Sequence, residues 1–182
     1  MAKKKLLFHA LTNHKLHHVR LLLDLAKQDQ QDDFVRSALL ESAVYQLVLS
    51  YRSFLGEMAC FVNLDQFVLD ALNSITAKEL KLLLVEHNKV IAEFEEVLLL
   101  EDDKHSWLSE LLFQHQQAFL NKLDPSPVHN EVDSTLVSSP KMIAIKGVSW
   151  PVVPSLSVED IQAWRSALYS LVLKVREYLQ EW

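Results

Sequence analysis

Residues 32–62 read DDFVRSALLESAVYQLVLSYRSFLGEMACFV, and the fold turns on how this stretch is wound. As a helix it places Leu40, Val44, Leu47, Tyr51, Phe54, Leu55, Met58 and Val62 on one face, the i, i+3/i+4, i+7 recurrence of an amphipathic helix. Leu39, Val48, Leu49, Cys60 and Phe61 fall off that face, so apolar surface covers most of the circumference. Such a helix has to be enclosed by several neighbours, and the stretch is therefore predicted to be the central rod of a helical bundle. Its length would be roughly 45 Å. Asp32 and Asp33 suit the positive end of the helix dipole and can cap it.

Composition agrees with this reading. The chain has 182 residues, 49% of them hydrophobic, with only two glycines, which favours helix and a single domain spanning 1–182. A chain this long buries roughly 70% of its unfolded surface and needs no staples. The only cysteine, Cys60, sits in the apolar helix, so no intramolecular disulfide and no C-x-x-C site can form. The net charge of −6 offers no general electrostatic reason to bind nucleic acid or an anionic membrane. Lys3-Lys4-Lys5-Leu6-Leu7-Phe8 opens like a signal peptide, but the apolar run stops at His9. No stretch reaches the roughly 18 uninterrupted apolar residues of a membrane span. The expected protein is soluble and cytoplasmic.

Outward from the central rod, Thr12 to about Gln28 forms a helix with Leu11, Val19, Leu22, Leu23 and Ala26 on its stripe and Lys15 inside it. Asn63-Leu64-Asp65 breaks the rod, and Asp65 can cap a short helix to Asn73. Thr76-Ala77-Lys78-Glu79 is a capping box with Ile75 and Leu80 as its hydrophobic staple. The helix it opens is predicted to run to Glu101-Asp102-Asp103 on a stripe of Leu80, Leu83, Leu84, Ile91, Phe94 and Leu98. Asp102 or Asp103 then caps a helix carrying Trp107, Leu108, Leu111, Leu112 and Phe119, which stops at Asp124-Pro125. Residues 124–156 hold all five prolines and read as a long irregular connection, with Met142–Ile145 apolar enough for one short strand packed on the bundle. Ser157-Val158-Glu159-Asp160 opens the last helix, whose stripe is Ile161, Trp164, Leu168, Leu171, Val175, Leu179 and Trp182. The predicted fold is an all-α antiparallel bundle of five to six helices. Trp182, closing the chain on an apolar stripe, is expected to bury against the proline-rich segment or against a second copy of the protein.

Three short motifs carry a family resemblance. Thr12-Asn13-His14-Lys15-Leu16, Ser106-Trp107-Leu108 and the ending from Arg176 to Glu181-Trp182 resemble a family of small, functionally uncharacterised helical proteins from gammaproteobacteria. Glu41-Ser42-Ala43 through Tyr51-Arg52 is similar as well, with Gln46 standing where the family is associated with a histidine. The resemblance implies a bacterial, single-domain helical protein and no known reaction.

Candidate chemistry is sparse. His14 and His18 are four apart and share a helix face, though a metal site needs further ligands that the sequence does not specify. No Glu-x-x-His pair of the di-iron bundles occurs. A metal site built from His18, His87 and His115 on three helices is the runner-up, and the expected metal and cofactor content is none. No arginine is followed by histidine at the Arg-x4–6-His spacing of helical ribonucleases of the toxin type. Gly56 and Gly147 alone cannot write a phosphate-binding loop or a serine nucleophile elbow. What remains is a polar strip of Glu41, Tyr45 and Arg52 on the central helix. With Lys15 from the first helix it is the candidate ligand-binding site, the simpler account being a bundle-edge salt-bridge set. If Lys15 faces Glu41, Lys15→Met should be tolerated better than Glu41→Leu, which would strand a cation. No catalytic residue is assigned. The leading function is a non-enzymatic one, exercised through contacts with a protein partner or by self-association. The alternative is an enzyme or small-ligand binder with an inter-helix polar or histidine-lined pocket. A filled core with an exposed apolar patch would favour the first and a deep polar cavity the second.

Overall fold

The computed structural model describes residues 2–28, 32–64, 74–91, 94–120 and 156–180, with side chains for 7–28, 32–64, 74–91, 94–118 and 156–178. The expected helix at 65–73, the strip at 142–145 and the side chains of Phe119, Leu179 and Trp182 lie outside these residues. Six helices occur among them: α1 (Ala2–Ala26), α2 (Asp33–Phe61), α3 (Ala77–Glu86), α4 (Phe94–Asp102), α5 (Trp107–Leu120) and α6 (Val158–Gln180). No strand is present in the described residues, and one continuous core cluster draws on all six helices. The class is all-α and bundle-like, as the periodicity predicts.

α2 is the spine. Asp32 caps it by accepting from the Phe34 amide at 3.0 Å, one of the four donors a helix start leaves open. Leu40, Val44, Leu47, Tyr51, Phe54, Leu55 and Met58 are all buried, and so are Val48, Ser50, Ser53, Glu57 and Ala59 outside that stripe. The rod is therefore enclosed on nearly every side over its second half.

α1 runs antiparallel along α2, as the pairs His9–Glu57, Thr12–Ser50 and Ala26–Arg36 show. It starts at Ala2 rather than Thr12, ten residues earlier than its stripe suggests. No proline or glycine interrupts residues 2–11, and Phe8 is fully buried, so packing carries the helix through the basic start. Phe8, Leu16, Val19, Leu23 and Ala26 form the buried face, with Thr12 among them, while Leu11 and Lys15 flank it half-buried. The close fit centres on Gly56, where an added Cβ would stand 2.5 and 2.7 Å from the Phe8 ring. Alanine there gains helix propensity of about 1 kcal/mol but forces a sealed ring to move. Gly56→Ala is expected to destabilise the protein by a net 1–2 kcal/mol or so, read as a lowered midpoint in urea unfolding.

The predicted helix over 77–103 is in fact two. The capping box forms as expected, with the Glu79 amide donating to Thr76 Oγ1 at 3.2 Å and the Thr76 amide to Glu79 Oε2 at 2.8 Å. Ile75 and Leu80 are both buried. α3 then ends at Glu86 because Asn88 turns left-handed (φ 52°). The Lys89 amide donates to the Leu84 carbonyl at 2.8 Å and the Asn88 amide to the Val85 carbonyl at 3.1 Å, the paired bonds of a Schellman cap. α2 ends the same way at Asn63 (φ 65°), through Leu64 to Ala59 and Asn63 to Cys60. Asparagine tolerates this conformation better than other residues with a Cβ.

The cap of α5 also differs from expectation. It is Ser106, whose Oγ accepts the Ser109 amide at 3.0 Å, while the Asp103 carboxylate accepts the His105 amide of the preceding turn. The Ser106 hydroxyl in turn donates to the Leu100 carbonyl, and the Ser109 hydroxyl donates to the Glu101 carbonyl at 2.7 Å. These bonds stitch the start of α5 to the end of α4. At α6, Ser157 and Asp160 complete a capping box despite the shorter acid, with bonds of 3.0 and 3.3 Å. Ile161, Trp164, Leu168, Leu171 and Val175 are buried, as the stripe predicts.

Candidate functional site

The predicted polar strip is brought together in part. Glu41, Tyr45 and Gln46 on α2 and His115 and Ala118 on α5 line an open groove of about 520 Å³. The Tyr45 and His115 rings stack with centroids 5.8 Å apart and planes 21° apart. Burial first, and the charge of Arg52 second, push the His115 imidazole below its usual pKa, so it is neutral at pH 7. Burial likewise lowers the Arg52 guanidinium, against the attraction of Tyr45, Glu79, Tyr51 and Glu101. Gln46 Oε1 is buried with no hydrogen-bond donor.

Lys15 stays apart on α1. Among the described residues no hydrogen bond or ion pair joins it to Glu41, and Glu41 is exposed. With neither charge partnered or sealed, Lys15→Met and Glu41→Gln are each expected to move the unfolding free energy by less than about 0.5 kcal/mol. A loss of several times that in either variant would reveal a partner.

The three histidines of the runner-up metal site are scattered. His18 lies against His14 of its own helix with ring centroids 4.1 Å apart and planes tilted by 57°, His87 is the C-cap of α3, and His115 lies in the groove. No group of three or more His, Cys, Asp or Glu suited to a metal occurs among the described residues.

Sequence reasoning missed the most heavily bonded polar cluster. Glu57, 4% exposed near the C-terminal end of α2, takes a two-pronged bond from Arg176 of α6. Arg176 Nε reaches Oε1 at 3.0 Å and its terminal nitrogen reaches Oε2 at 2.9 Å. A second terminal nitrogen donates to Asn13 Oδ1 at 3.0 Å, and His9 Nδ1 lies 3.0 Å from Glu57 Oε1. Two bonds in the rigid fork geometry of guanidinium and carboxylate compensate the burial of both charges. Next to it, the Thr12 hydroxyl donates to the Phe8 carbonyl, the Ser50 hydroxyl to the Thr12 carbonyl, and Arg165 to the Leu16 carbonyl at 3.1 Å. The stretch Thr12–Leu16 is thus where α1 is bonded to both α2 and α6. Its acceptors are occupied and its carboxylate is satisfied, which makes the cluster a clamp between helices. One signal pointed to it: a lone acid between Phe54-Leu55-Gly56 and Met58-Ala59, since a carboxylate in an apolar run demands a partner.

A third cluster joins α2, α3 and α4. The buried Tyr51 hydroxyl donates to Glu101 Oε2 at 2.5 Å, and the same oxygen accepts the Ala77 amide at the start of α3 at 2.9 Å. Burial, then the adjacent Glu101 carboxylate, hold the Tyr51 phenol well above its ordinary pKa.

Clamp, cap and groove together describe a helical bundle held by polar contacts between distant parts of the chain, with one open groove on its side. Residues 8–182 match the profile of a family of unknown function, DUF6586, and the protein belongs to that family. No curated protein and no solved structure matches it.

Proposed function

We propose that this is a non-enzymatic cytoplasmic protein of bacteria that works by contact with another protein, a second copy of itself being the first partner to test. The supporting observation is the outer face of α3 and α4. Lys78, Lys81, Leu82 and Val85 share one side of α3 by helical spacing, and Glu95, Leu99 and Asp102 share one side of α4. Lys78 pairs with Asp102 at 2.5 Å and Lys81 with Glu95 at 2.6 Å, so the two sides form one surface. On it and in the turn between, Leu82, Val85, Leu99 and Val90 are 65–87% exposed. Aliphatic side chains gathered and exposed to this degree mark contact surfaces. The fringe carries both charge signs, so a two-fold mate need not set like charges against each other. No described helix is long and apolar enough to cross a membrane, which fits a contact role in solution.

The test is sedimentation of the wild-type chain and of a Leu82→Glu/Leu99→Glu variant, with oxidative footprinting of both. Both substitutions are at the surface, so folding should survive. The expected result is concentration-dependent association with protection of Leu82 and Leu99, lost in the variant. Equal labelling of these leucines in dilute protein, concentrated protein and cell extract would sink the reading.

A further inference from the structure

α1 carries a second apolar line outside its buried face. Leu7, Leu11, His14, His18, Leu21 and Leu25 follow one another at spacings of 4, 3, 4, 3 and 4 residues. This is the seam of a coiled-coil helix, with histidine at its two central positions. None of the buried residues of α1 lies on it. Leu7, Leu21 and Leu25 are 43–50% exposed, His14 is exposed, and Leu11 and His18 are half-buried. The order is the same read from either end. About the midpoint between His14 and His18, Leu7 answers Leu25 and Leu11 answers Leu21. Such a line complements itself when two copies meet antiparallel about a two-fold axis, and the axis then falls beside the histidines. Their rings already lie together, with centroids 4.1 Å apart. Among the described residues neither ring makes a hydrogen bond and no third metal ligand stands with them. One copy thus holds two of the four ligands that a closed zinc site takes.

We infer that two copies of this chain bind one zinc ion between His14 and His18 of each copy, with the α1 helices antiparallel across the axis. Imidazole nitrogens suit Zn2+ and leave the hard cation Mg2+ in water. Leu7 of one copy packs on Leu25 of the other, and Leu11 on Leu21, which shields the ion along the seam. No acid lies on the line, and a dication between two chains of net charge −6 lowers their repulsion. Lys15 flanks the seam half-buried, and its long stem lets the ammonium stand in water away from the ion. The seam is roughly 27 Å long and one helix wide, too small to bury the ~800 Å² per partner of a stable interface. Pairing here therefore requires the metal. The site is separate from the α3–α4 surface and does not rest on it.

The experiment uses the untagged full-length chain carrying Leu82→Glu/Leu99→Glu, so that its outcome is independent of the α3–α4 surface. Sedimentation is expected to show a monomer in chelator and a doubling of mass with Zn2+, with no change in Mg2+. Elemental analysis should find one zinc per two chains. His14→Ala and His18→Ala should each weaken zinc binding at least about tenfold, and the two together should abolish the doubling. Leu21→Glu/Leu25→Glu, at the surface, should leave the monomer folded and prevent pairing. His105→Ala, an exposed histidine in the turn before α5, should change nothing. In a Cys60→Ser background, a mixture of Leu7→Cys and Leu25→Cys chains should form a disulfide under mild oxidation with Zn2+, and neither chain should do so alone. Zinc bound without a change of mass, a doubling that survives loss of both histidines or fails in His105→Ala, or cross-linking of Leu7→Cys to itself would each overturn the assignment.

Discussion

Replacing Arg176 with alanine is expected to cost about 3–5 kcal/mol of unfolding free energy, the largest effect of any single substitution outside the apolar core. The reason is the state of Glu57. Its carboxylate is nearly sealed in α2 and both of its oxygens receive Arg176. Without the guanidinium, His9 is left as its one described partner. The arginine is also the link between α6, Asn13 of α1 and the spine, so the loss should show as fraying of α6 in hydrogen exchange before global unfolding. The double variant Glu57→Leu/Arg176→Met should recover most of the loss, because removing both charges removes the desolvation cost along with the attraction. Denaturant unfolding of the single and double variants measures the coupling directly. A single variant within about 0.5 kcal/mol of wild type would mean that water reaches Glu57 and that the clamp is weak.

The second large effect is expected at Glu101. One of its oxygens serves a buried phenol and the first amide of α3 together. Glu101→Ala strands both donors, at about 1–3 kcal/mol apiece for a fully buried group; both bonds are part-buried, so the lower part of the summed range, about 2–4 kcal/mol, is expected. Tyr51→Phe removes only one donor and should cost about 1–2 kcal/mol. The two should be far from additive, since they break the same bond. The phenol also sets a dependence on alkaline pH. Its folded pKa is raised above the unfolded value of about 10. The stability tied to the protonated phenol is therefore complete below pH 10 or so, and it drains away as pH rises from there toward the folded pKa. In Tyr51→Phe this share of the alkaline loss should vanish, measured as the pH slope of the unfolding midpoint between about pH 9 and 11. An unchanged slope would mean that Tyr51 ionises as freely in the fold as outside it.

Both clusters lie at the border of what one chain of letters can disclose. The helical class, the position of α2 and the two capping boxes were legible, because each rests on residues within one or two turns of each other. Thr76 and Glu79 meet whatever else the chain does, and so do Ser157 and Asp160. The break at Asn88 is just as local, and its asparagine was there to be read. It was overridden by Leu84 and Ile91, which keep helical spacing across the break although the backbone between them does not. The start of α1 was hidden for the opposite reason. Lys3-Lys4-Lys5 looks like a leader, and only the seat that Gly56 leaves for the Phe8 ring shows why the helix continues through it.

The candidate site divides along the same line. Glu41 and Tyr45 share a face by i, i+4 spacing, and the sequence alone determined that they stand together. Which helix they face was decided by the bundle, which sets α5 with His115 against them and leaves Lys15 out of the groove. Glu57 and Arg176 are 119 positions apart, and no periodicity links such a pair. The sequence determined that a carboxylate sits in the apolar spine and therefore needs a partner. That the partner is Arg176 was decided only when α6 folded back along α1 and α2, because the Coulomb energy that offsets its burial depends on a few ångströms of separation and not on position in the chain.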